Sequence, residues 1–194
     1  MPVMSAPASS RLSHSEYLRT ERAREIKHEY LDGLERAMAG GTIEHGRLAS
    51  RFAQLVGTEL RERPCEVFSA DVRIRIEASN RSVYPDASIV CGEIQRAVSD
   101  SEAVANPLLI AEVLSESSEA YDRGEKFRHY RRLDSLREYV LISQHEPLVE
   151  VWQRDGTSWS VHDYGPGQWV RLVSIDVVIP VDSLYHNPLP HDAH

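Results

Sequence analysis

Residues 107–115, PLLIAEVLS, decide how the rest of the chain is read. An apolar run broken only by Glu112 suits a central strand, because a strand covered on both faces loses the alternation of a half-exposed one. The next stretch, 117–136 (SSEAYDRGEKFRHYRRLDSL), is polar, with Phe127, Tyr130 and Leu133 at helical spacing, and 137–143 (REYVLIS) returns to a buried strand. The centre of the chain is therefore expected to be a strand, helix, strand unit.

Working outward, 82–92 (SVYPDASIVCG) reads as a strand with Pro85 at its edge or in a bulge. Before it, Val67, Phe68, Val72, Ile74 and Ile76 interleave with polar residues as a strand requires, and polar residues 95–105 are expected to form a loop. Residues 42–63 carry Leu48, Phe52, Leu55, Val56 and Leu60 at steps of three and four, a core-facing helical stripe. The Asp32-Gly33 step in 29–41 signals a hairpin, and 15–30 is expected to be one helix or two short ones, capped at Ser15, with Tyr17, Leu18 and Ile26 on apolar faces. Towards the C-terminus, LVEVWQR, a DG turn, TSWSVHDY, a GPG turn and QWVRLVS suggest two successive hairpin connections.

The expected organisation is a disordered lead-in over 1–14, one α+β domain over 15–185 with a mixed sheet flanked by helices and hairpins towards both ends, and a loose tail over 186–194. With 41% hydrophobic residues among 194, one compact domain can bury a core. No signal peptide or membrane span is legible, and Cys65 and Cys91, far apart and without ligand spacing, read as reduced thiols; a soluble cytoplasmic chain is expected. A net charge of -8 excludes non-specific gripping of nucleic acid by the whole surface. The nine histidines show no HExxH spacing and no glycine loop precedes a Lys-Ser or Lys-Thr pair, so a histidine-rich metal hydrolase and a phosphate-loop enzyme lose ground.

Two acids stand out. Burying Glu112 as a lone carboxylate among apolar neighbours would cost several kcal/mol, so it needs a cation or a proton. Asp86, just after Pro85, lies where a strand mouth can point it at the same cleft. Such a pair can hold magnesium, with manganese as a substitute, for phosphodiester hydrolysis. Lys126 could orient the attacking water, Gln144 could bond a phosphate or that water, and Tyr130, one turn beyond Lys126, would face the same way. His45, near the start of the 42–63 helix, is open to an end-cap role or a place in the cleft, and Glu29 is similar. The plainer readings stand beside these: Asp86 as a turn residue, and Lys126 as a solvated helix charge paired with Asp122 four residues earlier.

The strings YPDASIVCGE and PLLIAEVLSESSEAYDRGEKFRHYRRLDSLREYVLISQ, preceded by KHEYLDGLERAMAGGTIEH, resemble the Uma-type family of "putative restriction endonucleases" within the PD-(D/E)XK nuclease superfamily, from about Ser15 to Tyr185. The resemblance implies a restriction-endonuclease-like fold, with Asp86 and Glu112 matching the two acids. The superfamily's usual lysine stands two residues after the second acid, and here that position is Leu114. In this family the lysine looks to have moved to the following helix, which matches Lys126, with Gln144 and Tyr130 resembling supporting positions. A magnesium-dependent nuclease acting on DNA through Arg123, Lys126, Arg128, Arg131, Arg132 and Arg137 is one expectation, with a homodimer implied for duplex DNA. A non-catalytic binding or self-assembly module on the same fold is the other.

Overall fold

The computed structural model describes residues 11–38 and 40–187. Helix α1 (His14–Glu21) is opened by Ser13, whose side chain accepts from the Glu16 amide while the Glu16 carboxylate accepts from the Ser13 amide. The cap is thus Ser13 rather than Ser15, and helix starts inside the stretch expected to be lead-in; residues 1–10 and 188–194 lie outside the described ones. The helix stops early because the Glu21 carboxylate takes the His28 amide at 2.8 Å and turns the chain into strand β1 (His28–Leu31), leaving Ile26 exposed between them.

Strand β2 (Leu34–Ala37) completes the expected hairpin. Asp32 and Gly33 have φ of 51° and 95°, the pair of positive values that a two-residue type I′ turn needs. Helix α2 (Ile43–Glu59) is capped by Thr42, whose hydroxyl accepts from the His45 amide at 3.0 Å, and its stripe of Leu48, Phe52 and Val56 is fully buried.

Two stretches that read as single strands are each split between sheets. The first divides into β3 (Cys65–Ser69) and β4 (Arg73–Ile76), the second into β5 (Arg81–Val83) and β6 (Ala87–Cys91). The second break falls at Tyr84-Pro85-Asp86, where proline has no amide to continue a ladder. The expected loop over 95–105 instead contains β7 (Arg96–Ala97) and β8 (Asp100–Val104). Its polarity misleads because Asp100 is buried in a pair with Arg73 at 2.9 Å, a partner that sequence does not reveal.

Strand β9 (Leu109–Leu114) is buried along its whole length. A continuous helical passage follows: α3 (Glu119–Tyr121), a π-helical stretch over Asp122–Lys126, and α4 (Phe127–Tyr130). Strand β10 (Glu138–Ser143) then pairs parallel with β9, so the strand, helix, strand reading holds. Strands β11 (Val149–Asp155) and β12 (Ser158–Tyr164) form the DG hairpin. The GPG turn leads into β13 (Trp169–Leu172), which pairs with β14 (Val177–Pro180) rather than with β12; α5 (Val181–Tyr185) follows. Apolar burial draws that pair away: Val170, Leu172, Val177 and Ile179 pack in the same core as the α2 stripe.

The result is two six-stranded mixed sheets, ordered β2-β1-β5-β4-β8-β7 and β12-β11-β10-β9-β6-β3, with β13-β14 apart. Along β9, Leu109, Ala111 and Val113 face the α2 core, while Ile110 and Leu114 face a second core holding Phe127, Tyr130 and Tyr139. Phe127 stacks on Tyr139 at 4.8 Å and lies against Trp152 and Trp159. Glu112 sits on this second face by alternation. No helix among the described residues is long and apolar enough to cross a membrane.

The reading of Cys65 and Cys91 as free thiols is overturned. They are register partners on β3 and β6 and form a disulfide across a sequence separation of 26, because the sheet closes a distance that sequence spacing hides. Constraint of a loop this long stabilises the folded chain by about 3 kcal/mol. Denaturant unfolding of the oxidised chain should lose about that much on adding reductant, whereas the Cys65→Ser, Cys91→Ser double variant should not respond to it.

Candidate active site

The break at Pro85 leaves Asp86 where the chain passes from one sheet to the other. Its Oδ2 accepts the Val113 amide at 2.7 Å, which holds the carboxylate beside the residue following Glu112, and its Oδ1 lies 2.9 Å from His45 Nε2. His45 comes from the first turn of α2, and Gly41 gives it room: a Cβ there would stand 2.9 Å from the imidazole. Glu112 Oε1 accepts from the Tyr130 hydroxyl at 2.8 Å and from Lys126 Nζ at 2.7 Å. Lys126 is also 3.5 Å from Asp122 and 3.8 Å from Glu29. The π-helical stretch turns Asp122 and Lys126 inward together, and both are buried.

Burial pushes the Glu112 carboxyl up; the Lys126 ammonium opposes this, the charges of Asp86 and Asp122 add to it, and the group reaches about 8. Burial alone would lower Lys126, but the carboxylates of Glu112, Glu29 and Asp122 outweigh it and hold the ammonium charged. Burial, and then the Glu112 charge, raises Tyr130 well above the usual phenol range, so it remains a donor. The hydrogen bond to Asp86 raises His45.

Asp86, His45, Glu112, Lys126, Asp122 and Glu29 line one cleft of about 270 Å³, between the β1-β2 hairpin, the start of α2 and the turn after β9, with Tyr130 buried behind Glu112. Glu29, Asp86, Glu112 and Asp122 share the cleft with Lys126, Arg36 and His45, and a bound cation, by favouring the ionised Glu112, would leave the acids in excess. Asp86 and Glu112 offer only hard oxygen donors. Among the described residues no group of three or more acid, histidine or cysteine side chains is arranged to hold a metal ion, and an ion here would rest on Asp86 and Glu112 with waters.

Of the residues singled out from sequence, Asp86, Glu112, Lys126, Tyr130 and His45 are thus brought together. Gln144 is not among those lining the cleft: its amide donates to the Leu114 carbonyl at 2.6 Å and accepts from the Thr42 hydroxyl at 2.6 Å, tying the cap of α2 to the end of β9. The expected basic strip is not continuous. Arg123 is paired with Glu119 and Glu150 and Lys126 faces inward, leaving Arg128, Arg131, Arg132 and Arg137 exposed. Sequence reading missed Arg36 and Tyr121 as cleft residues; the guanidinium lies 4.4 Å over the ring. The Tyr121 hydroxyl is buried without a hydrogen-bond partner among the described residues. Asp122 carried a signal in its spacing of four from Lys126; Arg36, on an exposed hairpin strand, carried none.

The fold agrees with the comparisons. The sequence model of the Uma2 family, described as "Putative restriction endonuclease", matches residues 14–181, and the chain belongs to that family. The uncharacterised protein slr1290 of Synechocystis sp. is 34% identical over 176 residues, covering 90% of this chain and 92% of its own. The uncharacterised protein sll1609 of the same organism is 37% identical over 145 residues, covering 75% and 82%. A crystal structure from Anabaena variabilis, titled as a putative nuclease belonging to DUF820, superimposes with a TM-score of 0.72 at 19% identity, covering 88% of this chain and 96% of that one, and shares the fold.

The raised Glu112 group has a thermodynamic consequence. A carboxyl near 4.5 when unfolded and about 8 when folded binds more protons in the folded state between those values. Its contribution is fully present below the lower value and is lost as pH rises through the upper one. Without added divalent ion, the chain should lose stability across this window, and Glu112→Gln should reduce the loss by at least about 1 kcal/mol in pH-dependent denaturation.

Proposed function

We propose that this protein is a magnesium-dependent endonuclease hydrolysing phosphodiester bonds of DNA, with manganese able to substitute. Asp86 and Glu112 are the metal ligands and Lys126 assists the attacking water. The supporting observation is the convergence of these three side chains, from a sheet crossing, a central strand and the following helix, on one acidic cleft with a Lys126–Glu112 distance of 2.7 Å. A bound ion would supply charge stabilisation at the phosphate and a more acidic water.

The remaining chemistry belongs to the chain. Lys126, kept cationic by its acids, donates to the attacking water or to a phosphate oxygen as negative charge grows. Tyr130 positions Glu112 through its hydroxyl, and His45 with the Val113 amide fixes Asp86. Arg36, with no carboxylate partner among the described residues, stands at the mouth on Tyr121 as a phosphate contact for the incoming strand. Cutting both strands of a duplex calls for two such sites, which a homodimer supplies. The net charge of -8 favours the competing reading of a non-catalytic binding or self-assembly module, but that reading gives no reason for a buried lysine ringed by acids.

With magnesium or manganese, the purified chain should cleave plasmid DNA, and Asp86→Ala, Glu112→Ala and Lys126→Ala should each lose about a hundredfold or more while remaining folded. Absence of cleavage with either ion, together with absence of ion binding in calorimetry, would sink this reading. Arg36→Ala should raise KM about tenfold with kcat little changed, as expected for a lost charged contact made equally before and during reaction.

A further inference from the structure

Among the described residues, six of the ten buried polar side-chain atoms without a hydrogen-bond partner belong to one neighbourhood outside the cleft. Five are the Ser79 hydroxyl, Arg81 Nε and one of its terminal nitrogens, and both ring nitrogens of His129. These three residues line a groove of about 390 Å³ together with Arg132. The sixth is a terminal nitrogen of Arg75, whose side chain bonds Glu77 at 3.0 Å and Asn80 at 2.8 Å in the groove wall. Buried polar groups are rarely left unpaired, and such a concentration in one place needs a cause.

The nearby acids do not meet the need. Asp32 is bonded to Arg11 and Asn80, each at 3.0 Å, and Glu77 to Arg75 and to Ser99 at 2.7 Å. Glu125 takes the remaining terminal nitrogen of Arg81 at 2.7 Å but stands 3.9 Å from His129 Nε2, beyond hydrogen-bond reach. The two Arg81 nitrogens, one N–H of the His129 ring and the Ser79 hydroxyl are donors left without acceptors, and a tetrahedral oxyanion with several lone pairs restores the balance.

We propose that this groove is a binding site for a phosphate group, with Arg81, His129 and Ser79 as donors and Arg132 as the solvent-facing charge. Burial first, then Arg81 and Arg128, hold the His129 imidazole below its usual range, and of these it is the two arginines that suit an anion. Arg132 is exposed, and among the described residues only one of its terminal nitrogens is engaged, by the Ala78 carbonyl at 2.9 Å. The position also fits a nucleic-acid backbone. Arg81 is paired with Leu31 across from the strand that carries Glu29, and His129 follows Lys126 on the same helical passage. Arg81 and Asp86 are five positions apart, at most about 18 Å of chain, a span of a few nucleotides.

The test titrates the full chain, free of divalent ions, with inorganic phosphate at constant ionic strength while following the His129 ring resonances. A saturating shift is expected, weakened about tenfold or more by Arg81→Gln and by Arg132→Gln. Thermal unfolding of both variants checks that they fold. A non-saturating shift equal to that given by chloride, or phosphate binding unchanged in both folded variants, overturns the site. A short DNA duplex added under the same conditions separates the two sources of the phosphate: displacement of bound phosphate assigns the site to the nucleic-acid backbone, and continued phosphate binding in the presence of duplex assigns it to the free anion. Neither result depends on cleavage, so a failure of the nuclease reading would be distinguishable from a failure of this site.

Discussion

Glu112 is buried at the middle of a strand that is paired on both sides, and much of the surrounding structure answers to that placement. β9 lies between β10 and β6, so the carboxylate cannot be relieved by moving the strand toward water. An uncompensated charge there would cost several kcal/mol, and the compensation is itself buried: Lys126 and Tyr130 reach in from the next helical passage. Lys126 in turn is offset by Asp122 and Glu29, which makes the N-terminal hairpin part of the same electrostatic unit. Removing any one member leaves the others badly solvated, as buried charge networks do.

The two sheets meet this requirement through the proline break. A continuous strand from residue 81 to 91 would have alternated its side chains between two faces. The interruption instead frees the Asp86 carboxylate to take a main-chain amide of β9 and so fastens the sheet crossing to the central strand. The same carboxylate receives His45, whose place depends on the Thr42 cap and on the absence of a side chain at Gly41.

Sequence showed the parts of this arrangement whose causes are local. The α2 stripe, the Asp32-Gly33 turn and the apolar β9 run follow from periodicity, turn chemistry and composition, and the acid inside the run marked Glu112. What stayed hidden was set at long range. β8 looked like a loop because Asp100 is spent on Arg73; β13 left β12 because its apolar face belongs against α2; the cysteines looked unrelated until the register of β3 and β6 set them opposite each other. Arg36 was invisible for the same reason, since its contact with Tyr121 exists only once the hairpin folds over the helical passage.

Asp86 and Glu112 stand on the sheet side of the cleft, whereas the ammonium rides with Asp122 on a short helical passage, so the two halves of the site have separate mechanical supports. One residue of helix rotation, about 100°, would swing Lys126 out of the cleft without breaking a single sheet hydrogen bond. Phe127 stands against that rotation, wedged on Tyr139 between Trp152 and Trp159 on the side of the helix next to the buried lysine. Alignment of the charged centre is therefore governed by an aromatic bearing that holds the helical passage, through the Tyr139 hydroxyl on the Asp122 carbonyl, and wear in that bearing would detune the lysine while leaving the Asp86 and Glu112 carboxylates in place.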